Sequence, residues 1–351
     1  MQEMLSKHPH DREATLILAE SLYWMGRVDR ATLVLQNQVD ADRHDKRAGQ
    51  LLKDLQLQQR PEAQINFLNY TQSDNLRIMK GAFDTKIPIK NARGFVGARY
   101  SYSHFEPDQS SIEKIIVTSP AVYAGYRASD ALDLNARISV DFINLNGIER
   151  EHVIPTFESY VTYFPNDFLR FDVSASRITW DSEQTLRDGM AATKLGISVD
   201  VSPNELTKLS ARSSWSSHTD GNECRWWQLQ ANQRIFNQPR IFIGYRYTYF
   251  SYLTPWQEGY YNPDRYNTHQ VLLQGSDNIT SRWYWNARLT AGYETEIPDK
   301  SRFTLDGGFG LEYKLSPKFE IELTYNYFTS RTVLPGGFAR GVAHLVLSRR
   351  F

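Results

Sequence analysis

Asp133, Arg137 and Asp141 fall on one side of a single extended segment, and Leu134, Ala136, Ile138, Val140 and Phe142 fall on the other. Side chains of a strand alternate between two faces, so the segment sets ionised groups opposite hydrocarbon. The pattern recurs along the chain. It nominates Asp133, Arg137, Asp141, Arg170, Asp172, Lys194, Asp200, Arg246, Arg282, Arg288, Asp306, Glu312, Glu320 and Glu322 as residues lining a wet interior. Groups of this kind hydrate a passage and make weak, repeated contacts with a hydroxyl-rich solute. They also pair with one another and hold a wall together. Both signs are present, and the mixture selects neither an anionic nor a cationic cargo.

Catalytic arrangements are not legible. His8, His10 and His44 stand without partners, and the Gly-Phe-Ala-Arg-Gly and Gly-Gly-Phe-Gly stretches are too short for phosphate loops and lack a following helix. Cys224 is the only cysteine, which rules out an internal disulfide or a thiolate zinc cluster. The chain is therefore expected to be no enzyme and to hold no cofactor or metal.

Forty basic and forty acidic residues cancel in a chain of 351, so no global charge points to nucleic acid. Mean hydropathy is −0.52 and no apolar run could form a membrane helix, yet 13% of residues are aromatic. Low mean hydropathy with many aromatics suits a transmembrane β-barrel, and also a soluble β-sandwich. The first residues lack a basic segment followed by an apolar stretch, so no export leader is visible. The expectation is that a leader was removed or lies upstream.

Two kinds of pattern position the candidate residues. Residues 1–60 are helical: Leu16, Leu18, Ala19 and Leu22 recur at helical spacing up to Gly26, followed by Val28, Ala31, Leu35 and Val39, then Ala48, Leu51, Leu52 and Leu55. From 61 to 351 the period is two. Strands are expected near 62–72, 75–88, 94–106, 116–128, 132–146, 152–164, 168–180, 188–202, 205–218, 223–236, 240–253, 266–276, 280–296, 301–315, 318–331 and 339–351. Soluble strands run about 5–6 residues, whereas tilted membrane strands need about 9–11. Tight joins rich in Asn, Asp, Pro and Ser (90–93, 128–130, 165–167, 202–204, 237–239, 277–278, 316–317) alternate with joins that are mostly longer (107–115, 147–151, 181–187, 254–265, 332–338). The join at 73–74 is a short exception. These features predict a mainly β, sixteen-stranded antiparallel transmembrane barrel with the helical segment on its tight-turn side. In Phe319–Phe328, read within "KFEIELTYNYF", the apolar face then meets lipid, and Glu320 and Glu322 face inward. Tyr163, Phe164, Phe168, Phe236, Trp283 and Trp285 at one end, with Trp180, Trp215, Trp226 and Trp227 toward the other, would form two interfacial belts. Trp256, Tyr260 and Tyr261 in the longest loop are candidates to stack on sugar rings.

In "LILAESLYWMGRVDRATLVLQ", the order Leu18, Ala19, Leu22, Gly26, Ala31, Leu35 resembles a tetratricopeptide repeat. Arg43 replaces the repeat's usual closing proline. A lone repeat cannot bury its flanks, so this piece is expected to end a longer array. The terminal "AHLVLSRRF", with Phe351 beyond Leu347, Leu345 and Ala343, resembles the signal read by the outer-membrane barrel-insertion machinery; Arg349 interrupts it. Helical repeats joined to a sixteen-strand barrel resemble the outer-membrane subunits of exopolysaccharide secretion, namely the cellulose synthase operon protein C family and the poly-N-acetylglucosamine export porin. "EGYYNPDRY", Glu258 to Tyr266, is similar to a segment of the cellulose-type and YaiO-like barrels. The resemblance implies an export porin conducting an exopolysaccharide outward, a periplasmic helical part that docks the polymer or synthase components, and contact with outer-membrane lipid. The alternatives are a plugged structural or receptor barrel with a protein-binding repeat, and a soluble β-rich carbohydrate-binding protein.

Overall fold

The computed structural model describes residues 12–24, 27–72, 76–89, 93–106, 114–145, 151–256, 259–297, 300–329 and 340–351. Gly26, His8, His10, Glu258 and the joins at 73–74, 90–92, 107–113, 147–150 and 332–338 lie outside the described residues.

Three helices come first, α1 (Arg12–Trp24), α2 (Val28–Ala41) and α3 (Lys46–Gln58). Each buries one stripe, and Leu16, Ala19, Leu22, Ala31, Leu35, Ala48, Leu52 and Leu55 form their common core. The alanines at three of those positions let the helix axes approach closely. Asp45 starts α3: its carboxylate accepts from the backbone N–H of Arg47 and Ala48 and from the Arg12 guanidinium at 2.7 and 2.9 Å. The hydrogen bond from Arg12 and that from the Ala48 N–H hold the carboxyl well below the usual range. A depressed folded pKa stabilises fully above the ordinary carboxylate value of about 3.9, and that stability is lost progressively as pH falls through the folded value. Asp45→Ala should cost the helical segment about 1–2 kcal/mol. Protease cleavage within residues 12–58 of the intact protein would report the loss. Asp45→Asn should also remove the acid-induced step in that cleavage.

The rest of the described chain is one closed antiparallel barrel of sixteen strands, each hydrogen-bonded to its neighbours in sequence and the last to the first. In order they are β1 (Glu62–Gln72), β2 (Arg77–Ile89), β3 (Gly94–Glu106), β4 (Ile115–Ser129), β5 (Leu132–Leu145), β6 (Glu151–Asn166), β7 (Leu169–Thr179), β8 (Ala191–Val201), β9 (Thr207–His218), β10 (Glu223–Phe236), β11 (Arg240–Tyr252), β12 (Arg265–Asn278), β13 (Trp283–Glu296), β14 (Lys300–Ser316), β15 (Phe319–Phe328) and β16 (Arg340–Arg350). Closure pairs Glu62 with Arg350 through Gln72 with Arg340, and the Phe351 N–H donates to the Pro61 carbonyl at 3.0 Å. No edge strand is left to aggregate. One element was not legible in sequence: α4 (Glu183–Arg187), a short helix within the β7–β8 connection.

The apolar face points outward. Ile138 is 65% exposed and Leu323 52%, and Phe67, Phe83, Val122, Val153, Ile197 and Phe309 continue the band around the barrel. Ionised side chains of the opposite parity line interior hollows. A soluble protein would leave such a band in water, whereas a bilayer covers it; the fold is that of a transmembrane barrel. Tyr163, Phe236 and Trp283 sit outward at the tight-turn end, and Trp215 outward at the other. Phe164, Phe168, Trp180 and Trp226 depart from the expected belts: Phe164 and Phe168 line an interior hollow with Arg170 and Arg212. Trp180 is buried among Ala192 and Tyr260, and Trp226 has the parity of the interior wall and lines a hollow there.

The tight-turn end carries the helices. Asp29 of α2 pairs with Arg93 at 2.9 Å, and Arg30 with Asp130 at 2.8 Å, joining the start of α2 to two barrel turns.

Candidate functional site

The interior of the barrel holds most of the charged residues expected there, because strand parity is set by the same alternation that places the apolar band outside. Asp133, Arg137 and Asp141 on β5, Arg170 and Asp172 on β7, and Lys194 and Asp200 on β8 all have interior parity. So do Arg246 on β11, Arg288 on β13, Asp306 and Glu312 on β14, and Glu320 and Glu322 on β15. Arg282 does not: it lies exposed in the turn before β13, where its carbonyl accepts from the Lys314 N–H at 2.9 Å. The β12–β13 turn is longer than the dipeptide 277–278 suggests, so β13 starts at Trp283. Lys80, Asp84, Arg99, Glu158 and Arg212 also belong to the interior wall and were missed. The alternation in "GARYSYSHF" around Arg99 would have revealed one of them.

Much of the wall is internally satisfied. Arg127 grips Asp133 with two bonds of 2.7 and 3.1 Å, and Arg137 meets Glu158 at 3.0 Å. Asp84 accepts from Asn66 at 2.9 Å and lies 3.5 Å from Arg99. Asp172 accepts from Thr162, Ser198 and Arg170 at 2.6, 3.0 and 2.9 Å. Glu294, buried on β13, takes hydrogen bonds from the Tyr266 hydroxyl and the Arg302 guanidinium. Gln270, Thr268, Thr304 and Asp306 are buried too, so this arc of β12–β14 does not face open water. Gly97 is required where it stands, because a Cβ there would collide with the Thr85 carbonyl and the Tyr123 ring. The Tyr123 hydroxyl donates to that carbonyl at 2.8 Å, laying the ring along the inner wall.

Hollows remain between these contacts. One of about 520 Å³ is lined by Thr162, Asp172, Lys194, Ser198, Arg212 and Trp226. Another of about 290 Å³ lies against Lys80, Arg99, Arg137, Ser139 and Asp141.

The β7–β8 connection forms part of the wall of the second hollow and covers the part of the loop end that lies over β2–β6. Leu186 of α4 is 1% exposed and packs on Ile78, Phe105, Ile115, Val117, Ile143, Leu145 and Ile154, contributed by β2 through β6. The connection thus leaves β7 and folds inward along the neighbouring arc β2–β6. Lys80 meets Asp181 at 2.6 Å, Thr179 donates to Asp141 at 2.7 Å, and the Arg187 carbonyl lies 2.9 Å from His152 Nε2. Ser182 Oγ caps α4 and donates to the Gly259 carbonyl at 2.8 Å, fastening this lid to the β11–β12 loop.

That second loop carries the three aromatic candidates. Tyr260 is buried against Trp180, His218 and Tyr252, with ring centroids 4.5 to 5.8 Å away. Its hydroxyl donates to Asp220 at 2.7 Å and accepts from the Asn222 amide at 2.8 Å. Burial, and then the bond to Asp220, pushes the phenol pKa well above its ordinary value. Tyr261 packs edge-on against Phe250 and Tyr266. Both rings therefore hold the loop in place, because desolvating a large aromatic against its own fold outweighs leaving a face free. Trp256, 52% exposed at φ +64°, alone of the three presents its ring.

No family model matches the chain, and no curated protein matches it. Among solved structures it is similar to one described as a bacterial polysaccharide outer membrane secretin, 14% identical, covering 84% of this chain and 99% of that one at a TM-score of 0.68. It is also similar to CdiB from Acinetobacter baumannii, 8% identical, covering 84% of this chain and 60% of that one at a TM-score of 0.52. At such identities the likeness is one of fold, and the fold is that of outer-membrane β-barrels.

Proposed function

We propose that the chain is an outer-membrane export channel that conducts an exopolysaccharide from the periplasm to the cell surface. The observation that carries this is a closed barrel with a polar, hollowed interior and a helical segment tied by ion pairs to its tight-turn end. The tight-turn end then faces the periplasm, and the tetratricopeptide-like helices dock polymer or synthase components. The barrel contacts lipid through its apolar band, and Phe351 serves barrel insertion. Trp256 is left as the ring for sugar stacking at the exit. Support also comes from the whole-length likeness to the polysaccharide secretin.

Deleting the gene should abolish surface polymer and cause its retention in the periplasm, and the full chain should restore display. Unchanged surface polymer in the deletion strain would refute export. The buried lid at the loop end favours a second reading, a barrel closed to solutes. Single-channel recording separates the two, since a permanently closed barrel passes no current.

A further inference from the structure

Export of a polymer says nothing of its charge, but the wall of the barrel does. Near mid-strand on β2–β6 the interior cations are matched, Arg99 with Asp84 and Arg137 with Glu158. On β8–β13 they are not. Lys194, Arg212, Arg246 and Arg288 have no carboxylate within 4.0 Å among the described residues.

Their direct side-chain contacts are uncharged, although Asp306 lies within electrostatic reach of Arg246, and Asp172 and Asp200 line the hollow that holds Lys194 and Arg212. Arg246 Nε donates to Gln230 at 2.8 Å, the Lys194 ammonium lies 5.5 Å from the Trp226 ring, and the Arg288 guanidinium 5.8 Å from Phe328. The three arginines stand on alternate strands, with glutamines on β10 and β12 between them: Gln228 pairs with Arg212, Gln230 with Arg246, and Gln274 with Arg288. Adjacent strands lie about 4.8 Å apart and residues rise about 3.4 Å along them; with Arg246 offset two residues from Arg212, and Arg288 four from Arg246, successive arginines are spaced roughly 12 and 16 Å at the backbone. Like charges on one low-dielectric wall sum to a positive potential, which an anion bound among them offsets. Hydration alone would be served by neutral groups such as Ser198 and Ser214, which line the same hollow as Lys194 and Arg212. Glu312, Glu320 and Glu322 lie nearer the tight-turn ends of β14 and β15, where Lys314 is 3.3 Å from Glu312. Only Glu322 shares a hollow with Arg288.

We infer that these four cations form an anion-binding belt, and that the exported polysaccharide carries carboxylates, as in a polymer containing uronic acids. The cargo class rests on the export function proposed above; the belt itself does not. Guanidinium groups suit this cargo because they pair with carboxylates bidentately, while a mid-channel site of modest strength lets the chain keep moving.

The test uses the full chain in detergent, with oligogalacturonate, chitosan oligosaccharide and cello-oligosaccharide as probes in equilibrium dialysis. Reversal potentials are measured in planar bilayers under a KCl gradient. Oligogalacturonate should bind best, and more weakly as salt rises. Arg212→Gln combined with Arg246→Gln and Arg288→Gln should weaken that binding at least tenfold. Wild-type current should be anion-selective, and the triple variant should lose most of that selectivity. A heat-dependent gel shift confirms that the variant is folded, and Arg246→Gln alone should give an intermediate effect. Preferred binding of chitosan or neutral oligosaccharide would overturn the charge assignment and leave export standing. Anion selectivity that depends on the arginines, with no oligosaccharide bound, would overturn polymer export and keep the belt. Cation selectivity, or a triple variant indistinguishable from wild type, would overturn the belt.

Discussion

Leu186→Ala should open the loop end of the barrel. The side chain is 1% exposed and sits against interior residues of β2 through β6, so its removal strips the lid of its principal apolar contact. Truncating a buried leucine costs about 2–3 kcal/mol at the lower end of the usual range, because a lid can settle partly into the space left behind. The cost falls on the closed state alone, since an open lid exposes this residue in either variant. A difference of about 2–3 kcal/mol shifts the closed-to-open ratio roughly 30- to 150-fold. Single-channel recordings should show this as longer open dwell times. The ion pair between Lys80 and Asp181 is partly exposed, at 22% and 34% of the side chains, and should hold the lid by no more than about 1 kcal/mol. Lys80→Ala should therefore raise the open fraction by at most about fivefold. Identical gating in wild type and Leu186→Ala would show that the lid does not control the passage.

Ile138→Arg should destabilise the barrel by about 2–4 kcal/mol, the cost of placing an arginine in lipid at mid-bilayer depth. Ile138 lies midway along β5, faces outward and is 65% exposed in the protein alone. Ile321 faces outward on β15 but lies close to the tight-turn end, where a long side chain reaches the headgroups, so Ile321→Arg should cost only about 0–1 kcal/mol. Urea unfolding in liposomes, followed by tryptophan fluorescence, gives both values. The contrast locates the bilayer along the strands. Were the apolar band in water, both arginines would be tolerated, and equal stability of Ile138→Arg and wild type would sink the transmembrane assignment.

Strand positions were legible because alternation is local and long: β1, β3 and β10 begin and end where period two begins and ends. The apolar stripes of α1, α2 and α3 were legible for the same reason at helical spacing. The lid was not. Glu183 to Arg187 is five polar-rich residues with a single buried leucine, too short for any period, and only Ser182 three residues before Thr185 hints at a helix start. Arg282 was misplaced because a turn of mixed polar residues next to Trp283 looks like the beginning of a strand. Tyr260 was open to either sugar stacking or packing of its own loop, since loop aromatics give no sign in sequence of what will cover them.

By itself the sequence determined which residues share a face and how many strands the chain would form, because side-chain direction in an extended chain depends only on parity. It also showed that several strands carry hydrocarbon on one face, while closure into a continuous band was decided by the barrel. Tertiary structure alone decided which interior charges are neutralised. Glu158 reaches Arg137 through register between neighbouring strands, and Asp181 reaches Lys80 five strands away, whereas Lys194, Arg212, Arg246 and Arg288 are left without a carboxylate within 4.0 Å among the described residues. Charge pairing falls off over a few ångströms, and only closure of the barrel brings groups a hundred residues apart within that distance.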